Sequence, residues 1–282
     1  MKPLYLSIFV VLFSFACNDN KKADTTPVHE EATTRKKLPK DIIYLTARPD
    51  SISFDASGTA VIVVDMQNDF GSKGGMFDKA GIDISVIQKV IEPISNVLSS
   101  ARKRGIKIIY LKMGFKQDLS DVGGLEYPTR VKRLKRMHIG DTVIAPNGTI
   151  SRILVHDTWN TDIIPQLQPQ PGDIIIYKSR FNGFYRTTLD SILRSLEKKY
   201  LIIVGCTTSI CVESTVRDAA FRDYLPIVLE DCTAEPIGNG LPRSNYEASL
   251  LVIKTSFGLV STSNEFIKSI EKRLGVDGQS QY

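Results

Sequence analysis

From residue 59 onward the chain alternates short, uninterrupted apolar runs with longer segments in which apolar residues recur every three to four positions. Thr59-Ala60-Val61-Ile62-Val63-Val64-Asp65 is a β-branched run ending on a carboxylate, the pattern of a strand buried on both faces of a parallel sheet. Residues 83–104 carry helical spacing, with Ile84, Ile87, Val90, Ile91, Ile94, Val97, Leu98 and Ala101 on one face, and Gly105 stands where such a helix stops. Further strands are expected over 106–111, 174–178, 200–204 and 226–230, with a short one at 258–260, and further helices over 189–197, 211–221, 244–253 and 263–273. Strands alternating with helices imply right-handed βαβ units. The expected fold is therefore a three-layer α/β/α domain around a six-stranded parallel sheet. Residues 113–170 break the rhythm as a long insertion that holds His138, His156 and Trp159 and closes on Pro169 and Pro171.

The first 50 residues follow neither pattern. A positive start and an apolar run from Leu4 to Ala16 have the layout of a secretory signal, and the run is too short for an ordinary membrane-spanning helix. It ends at Ala16-Cys17 and turns polar at Asn18-Asp19-Asn20, which resembles a bacterial lipobox with Cys17 as the lipidated residue, although Ser14 and Phe15 depart from its usual leucines. Residues 18–50 are rich in Lys, Asp, Thr, Glu and Pro and read as a disordered tether, with some ordering after Asp41. The organisation expected is a signal segment over 1–17, a tether over 18–50 and a catalytic domain over 51–275, exported and lipid-anchored to a bacterial membrane.

Composition narrows the function. The 282 residues are 42% hydrophobic and 24% charged, as in an ordinary globular protein. The net charge of +5 is modest, and several of the basic residues lie near the N-terminus, so nucleic acid is not an expected partner. With Cys17 set aside, Cys206, Cys211 and Cys232 are an odd and irregularly spaced set, which is not a disulfide framework. His29, His138 and His156 lack ligand spacing, so no metal is expected. No Gly-rich phosphate loop follows the first strand, and no cofactor is implied.

In open parallel sheets ligands sit at the carboxyl ends of the strands. Asp65, Lys178 and the loop 205–211 occupy those ends. Cys211 opens a predicted helix, where the dipole and free N–H groups lower a thiol pKa, and the N–H groups of Ile210 and Cys211 can receive an oxyanion. A buried structural cysteine is the competing reading. Asp65 is either a general base or a structural carboxylate binding loop N–H groups, and Lys178 either orients that carboxylate or extends to solvent. Trp159 either walls a pocket or covers the core.

Val63-Val64-Asp65-Met66-Gln67-Asn68-Asp69-Phe70 and Gly205-Cys206-Thr207-Thr208-Ser209-Ile210-Cys211-Val212-Glu213-Ser214-Thr215, with Lys178 between them, resemble the signatures of isochorismatase-like cysteine hydrolases over roughly residues 55–270. The stretches 157–159, 167–173, 183–184, 189–193 and 211–218 are similar to the ureidoacrylate amidohydrolase branch, and related N-carbamoylsarcosine amidohydrolases share the pattern. The resemblance implies a triad of Asp65, Lys178 and Cys211, a cis peptide at Cys206–Thr207 that aims the loop N–H groups, and Asn68, Phe184 and Tyr185 near a small ureido, carbamoyl or amide substrate. Members acting on nicotinamide carry an Asp-x-His metal motif where this chain has Lys112-Met113-Gly114-Phe115-Lys116. A homo-oligomer is expected. The alternatives are vinyl-ether hydrolysis, against which the presence of Cys211 argues, and a non-catalytic binding lipoprotein.

Overall fold

The computed structural model describes residues 41–238 and 240–271. The expected signal segment, Cys17 and most of the tether lie outside the described residues. Six parallel strands form the central sheet: β1 (Thr59–Val64), β2 (Lys107–Met113), β3 (Ile174–Lys178), β4 (Tyr200–Cys206), β5 (Leu225–Ala234) and β6 (Leu259–Ser261). Their spatial order is β6-β5-β4-β1-β2-β3. The chain winds outward from β1 through β2 to β3, then returns to the other side of β1 at β4. That reversal opens a crevice at the carboxyl ends of the strands.

Alternation along each strand builds two cores. Val61, Val63, Ile108, Tyr110, Ile202 and Val204 face one side; Ala60, Ile62, Ile109, Leu111, Leu201 and Ile203 face the other. The first side is covered by α4 (Ile91–Lys103) and α9 (Ser263–Glu271), through Ile94, Val97, Leu98, Phe266 and Ile270. The second is covered by α6 (Leu189–Ser195), α7 (Glu213–Phe221) and α8 (Asn245–Val252), through Leu189, Leu193, Val216, Ala219 and Leu250. The three-layer, six-stranded architecture expected from the sequence is the one observed.

Three differences have physical causes. The single helix expected over 83–104 is two, α3 (Ser85–Lys89) and α4, with Val90 between them; Pro93 has no N–H to give the Lys89 carbonyl, so the helix restarts. The ordered domain begins before residue 51, because Ile42–Leu45 pairs antiparallel with Ile52–Asp55 and buries Ile43, Leu45 and Phe54. The insertion is not structureless: it holds α5 (Pro128–Arg136) and a hairpin of Thr142–Ile144 with Ile150–Arg152. Two one-turn helices, α1 (Asn68–Gly71) and α2 (Met76–Lys79), follow β1.

Candidate active site

β1 ends at Val64, and Asp65 leaves the sheet in the left-handed region with φ of 52°, a conformation Asp tolerates better than most residues. Its N–H donates to the Leu111 carbonyl at 2.9 Å, and its own carbonyl accepts from the Gln67 N–H at 2.8 Å. The carboxylate thereby lies at the end of the sheet. Lys178 ends β3, in register with Met113 of β2. Its Nζ reaches across β2 and donates to Asp65 Oδ2 at 2.7 Å, with both side chains sealed from solvent.

Cys211 arrives from β4. Gly205, with φ of 119°, lets β4 close on β1, since a Cβ there would sit 2.0 Å from the Val64 carbonyl oxygen. The Cys206–Thr207 peptide is cis. A π-helical turn, Thr208–Val212, then leads into α7 and carries Cys211. Thr215 Oγ1 donates to the Cys211 carbonyl at 2.7 Å and fixes the turn. The Cys211 thiol comes within side-chain hydrogen-bonding reach of both Asp65 and Lys178. Asp65 Oδ1 is buried with no hydrogen-bond partner, so one carboxylate oxygen is held by Lys178 and the other is left unpaired.

Burial governs the charges. It pushes the Asp65 carboxyl above its ordinary value, and Lys178 offsets this only in part. Burial works against the Lys178 charge too, but the attraction of Asp65 and Cys211 prevails and raises its pKa. Burial, reinforced by the Asp65 charge, pushes the Cys211 thiol up as well. The sequence reading expected the helix terminus to lower it. The terminus is present, but the thiol is only 5% exposed, and desolvation of a thiolate outweighs the dipole.

Cys211, Thr207 and Ile210 all line a cavity of about 670 Å³, so the residue that carries the buried sulfur borders space of small-molecule size. The Ile210 N–H, expected to be free for an oxyanion, donates to the Thr207 carbonyl at 3.2 Å. The residues expected to approach the substrate do not line this cavity. Asn68 gives its amide N–H to the Trp159 carbonyl at 2.8 Å and accepts from Ser72 Oγ, so both residues brace a loop. Phe184 is buried in the second core, stacked on Tyr224 with centroids 5.8 Å apart, and Tyr185 is exposed. The walls come instead from Phe70, Phe77, Met113, Arg133, Phe181 and Ile237.

Four residues given no role from the sequence prove central. Gln67 clamps three segments: its amide donates to the carbonyls of Met113 and Thr161 at 2.9 and 3.1 Å, and its Oε1 accepts from the Met113 N–H at 2.7 Å. Asp69 accepts from Met76 N–H, Leu154 N–H and Asn160 Nδ2. Burial, opposed by those three donors, lifts its pKa to about 7. Glu235, at the end of β5, accepts from Ser209 N–H at 2.8 Å and Ser209 Oγ at 2.5 Å, tying down the turn that carries Cys211. Arg133 comes from α5. Gln67 and Asp69 lie inside the motif that drew attention to Asp65. Glu235 lies five residues past the strand expected over 226–230, and Arg133 sits in a run of bases with no acid between 128 and 136.

Fold and site together define a three-layer α/β protein with a buried acid–amine–thiol cluster at the carboxyl edge of its sheet. The chain belongs to the isochorismatase family, whose Isochorismatase domain matches residues 59–265. It is 39% identical over 228 residues to the ureidoacrylate amidohydrolase RutB of Pantoea ananatis (strain LMG 20103), covering 80% of this chain and 87% of that one. The corresponding protein of Serratia proteamaculans (strain 568) is 38% identical over 247 residues, covering 86% and 96%. Among solved structures, a cysteine hydrolase from Pseudomonas syringae pv. phaseolicola 1448A superposes with a TM-score of 0.64 at 30% identity, covering 77% of this chain and 94% of that one.

Proposed function

We propose that the protein is an amidohydrolase that cleaves a C–N bond of a small ureido compound of the ureidoacrylate type, through Cys211, Asp65 and Lys178. It is a hydrolase of non-peptide C–N bonds by family and relatives. The observation that carries the proposal is the buried Asp65–Lys178 pair at 2.7 Å, whose second carboxylate oxygen is unpartnered, together with Cys211 on the cavity wall.

With its pKa raised, Cys211 rests as a thiol and needs a base at the moment of attack. Asp65 takes the proton on Oδ1 while sulfur attacks the carbamoyl carbon. Lys178 holds Oδ2 and balances the charge. The oxyanion falls to the 206–211 loop, with the Cys211 N–H as donor in place of the Ile210 N–H. Collapse breaks the C–N bond as Asp65 returns the proton to the leaving amine, leaving Cys211 S-carbamoylated. Water then attacks this thiocarbamate, Asp65 takes the water proton and passes it to the departing sulfur, and the carbamic acid released decomposes to CO2 and ammonia. Cys211→Ala removes the nucleophile, so ammonia release from 3-ureidoacrylate is expected to fall by several orders of magnitude while the near-UV circular dichroism stays native. Activity retained in that variant ends the proposal.

A further inference from the structure

The cavity has a second chemical pole. Three bases of α5, Lys132, Arg133 and Arg136, line it together with a single acid, Asp83. Arg133 is half-buried, and its guanidinium lies over the Phe181 ring, 4.5 Å from the centroid. Burial holds its pKa below the ordinary value. The neighbouring cations Arg130 and Arg180 add to that. Among the described residues no carboxylate pairs with Arg133, whereas Arg194, Arg217 and Arg222 on the opposite side of the sheet all have acidic partners. A desolvated guanidinium with no counter-ion is costly. Its planar fork suits a carboxylate, and the aromatic face beneath it sets the plane of that fork.

We infer that Arg133 is a specificity-determining residue that binds a carboxylate on the substrate, so that the protein selects short ureido acids over neutral ureas. The inference rests on the amidohydrolase reading, with the carbonyl at Cys211 and the anion at Arg133 in one cavity. The excess of positive charge from Arg130, Arg133, Lys132 and Arg136 also draws anions toward the mouth.

The test compares wild type, Arg133→Gln and Arg133→Lys on 3-ureidoacrylate and on its uncharged methyl ester, read as ammonia release. Binding of both compounds to Cys211→Ala, with and without Arg133→Gln, is measured by calorimetry. Arg133→Gln is expected to lower kcat/KM for the acid about 10- to 100-fold, as befits a lost charged hydrogen-bond pair, to leave the ester within about 2-fold, and to weaken binding of the acid alone. Lysine restores part of the loss. Equal losses on acid and ester overturn the inference in favour of a structural or thiolate-stabilising Arg133, and an unchanged acid rate overturns it outright; the amidohydrolase reading survives both. Conversely, a wild type that is inert on both compounds yet binds the acid through Arg133 sinks the reading and the substrate role of Arg133, and leaves only its carboxylate site. A protein that neither binds nor cleaves the acid sinks both.

Discussion

At the scale of single residues, the site is built on a balance between desolvation and pairing. Asp65 titrates above the ordinary carboxylate range because burial outweighs its bond to Lys178, and a base is useful only when unprotonated. Activity is therefore expected to fall as pH drops through that raised pKa, so the acid limb of kcat/KM lies above the ordinary carboxylate value of about 4. A limb at or below 4 removes Asp65 as the base. Asp65→Asn lowers kcat by about 10²–10⁴-fold, the usual worth of general base catalysis. Lys178→Ala leaves a carboxylate buried without its counter-charge; breaking such a pair costs about 3–5 kcal/mol, measurable by urea denaturation, and moves the acid limb further up. The placement of Asp65 and Lys178 was legible in the sequence, because a β-branched run that stops on a charged residue marks where a strand ends at the carboxyl edge of the sheet. The sign of the thiol shift was not, since it depends on packing around sulfur, and local sequence reports only the helix terminus. The partner of the Asn68 amide was not legible for the same reason, because it is the Trp159 carbonyl, 91 positions away.

At the scale of elements, the regular strands and helices were read nearly to their ends, and the failures cluster where side chains rather than periodicity decide. The insertion forms the cavity wall, and it is fastened by Asp69, which joins α2 through Met76 N–H to the loop carrying Leu154 and Asn160. With a pKa of about 7 in the folded protein and near 4 in the unfolded chain, Asp69 keeps its proton on folding where the open chain loses it. The folded state binds more protons between those values, so stability declines as pH rises from about 4 to about 7. Asp65 contributes with the same sign. Asp69→Asn cannot ionise and is expected to flatten the slope of unfolding free energy against pH across that window; an identical slope in the variant refutes the assignment. Glu235 plays a comparable part for the nucleophile turn. Its replacement by alanine releases Ser209 and is expected to reduce kcat more than it reduces thermal stability.

At the scale of the whole molecule, the long N-terminal segment stands apart in chemistry from the domain that follows. The hairpin Ile42–Leu45/Ile52–Asp55 is anchored to the hydrolase domain at the opposite end of the chain: the Arg48 N–H donates to the Val260 carbonyl at 2.8 Å, and the Val260 N–H returns to the Arg48 carbonyl at 3.0 Å. The acid–amine–thiol cluster draws its members from residues 65 to 211. We propose that Cys17 bears lipid and tethers a self-sufficient enzyme to a membrane surface. A single acyl chain gives only reversible attachment, whereas several chains on one cysteine hold firmly. Labelled palmitate is therefore expected to enter the wild type and to be absent from Cys17→Ser, which partitions to the soluble fraction with kcat/KM unchanged. Membrane retention of that variant refutes Cys17 as the anchor. A fall in its kcat/KM refutes the independence of the domain from its leader. The two readouts separate where the enzyme resides from how it works.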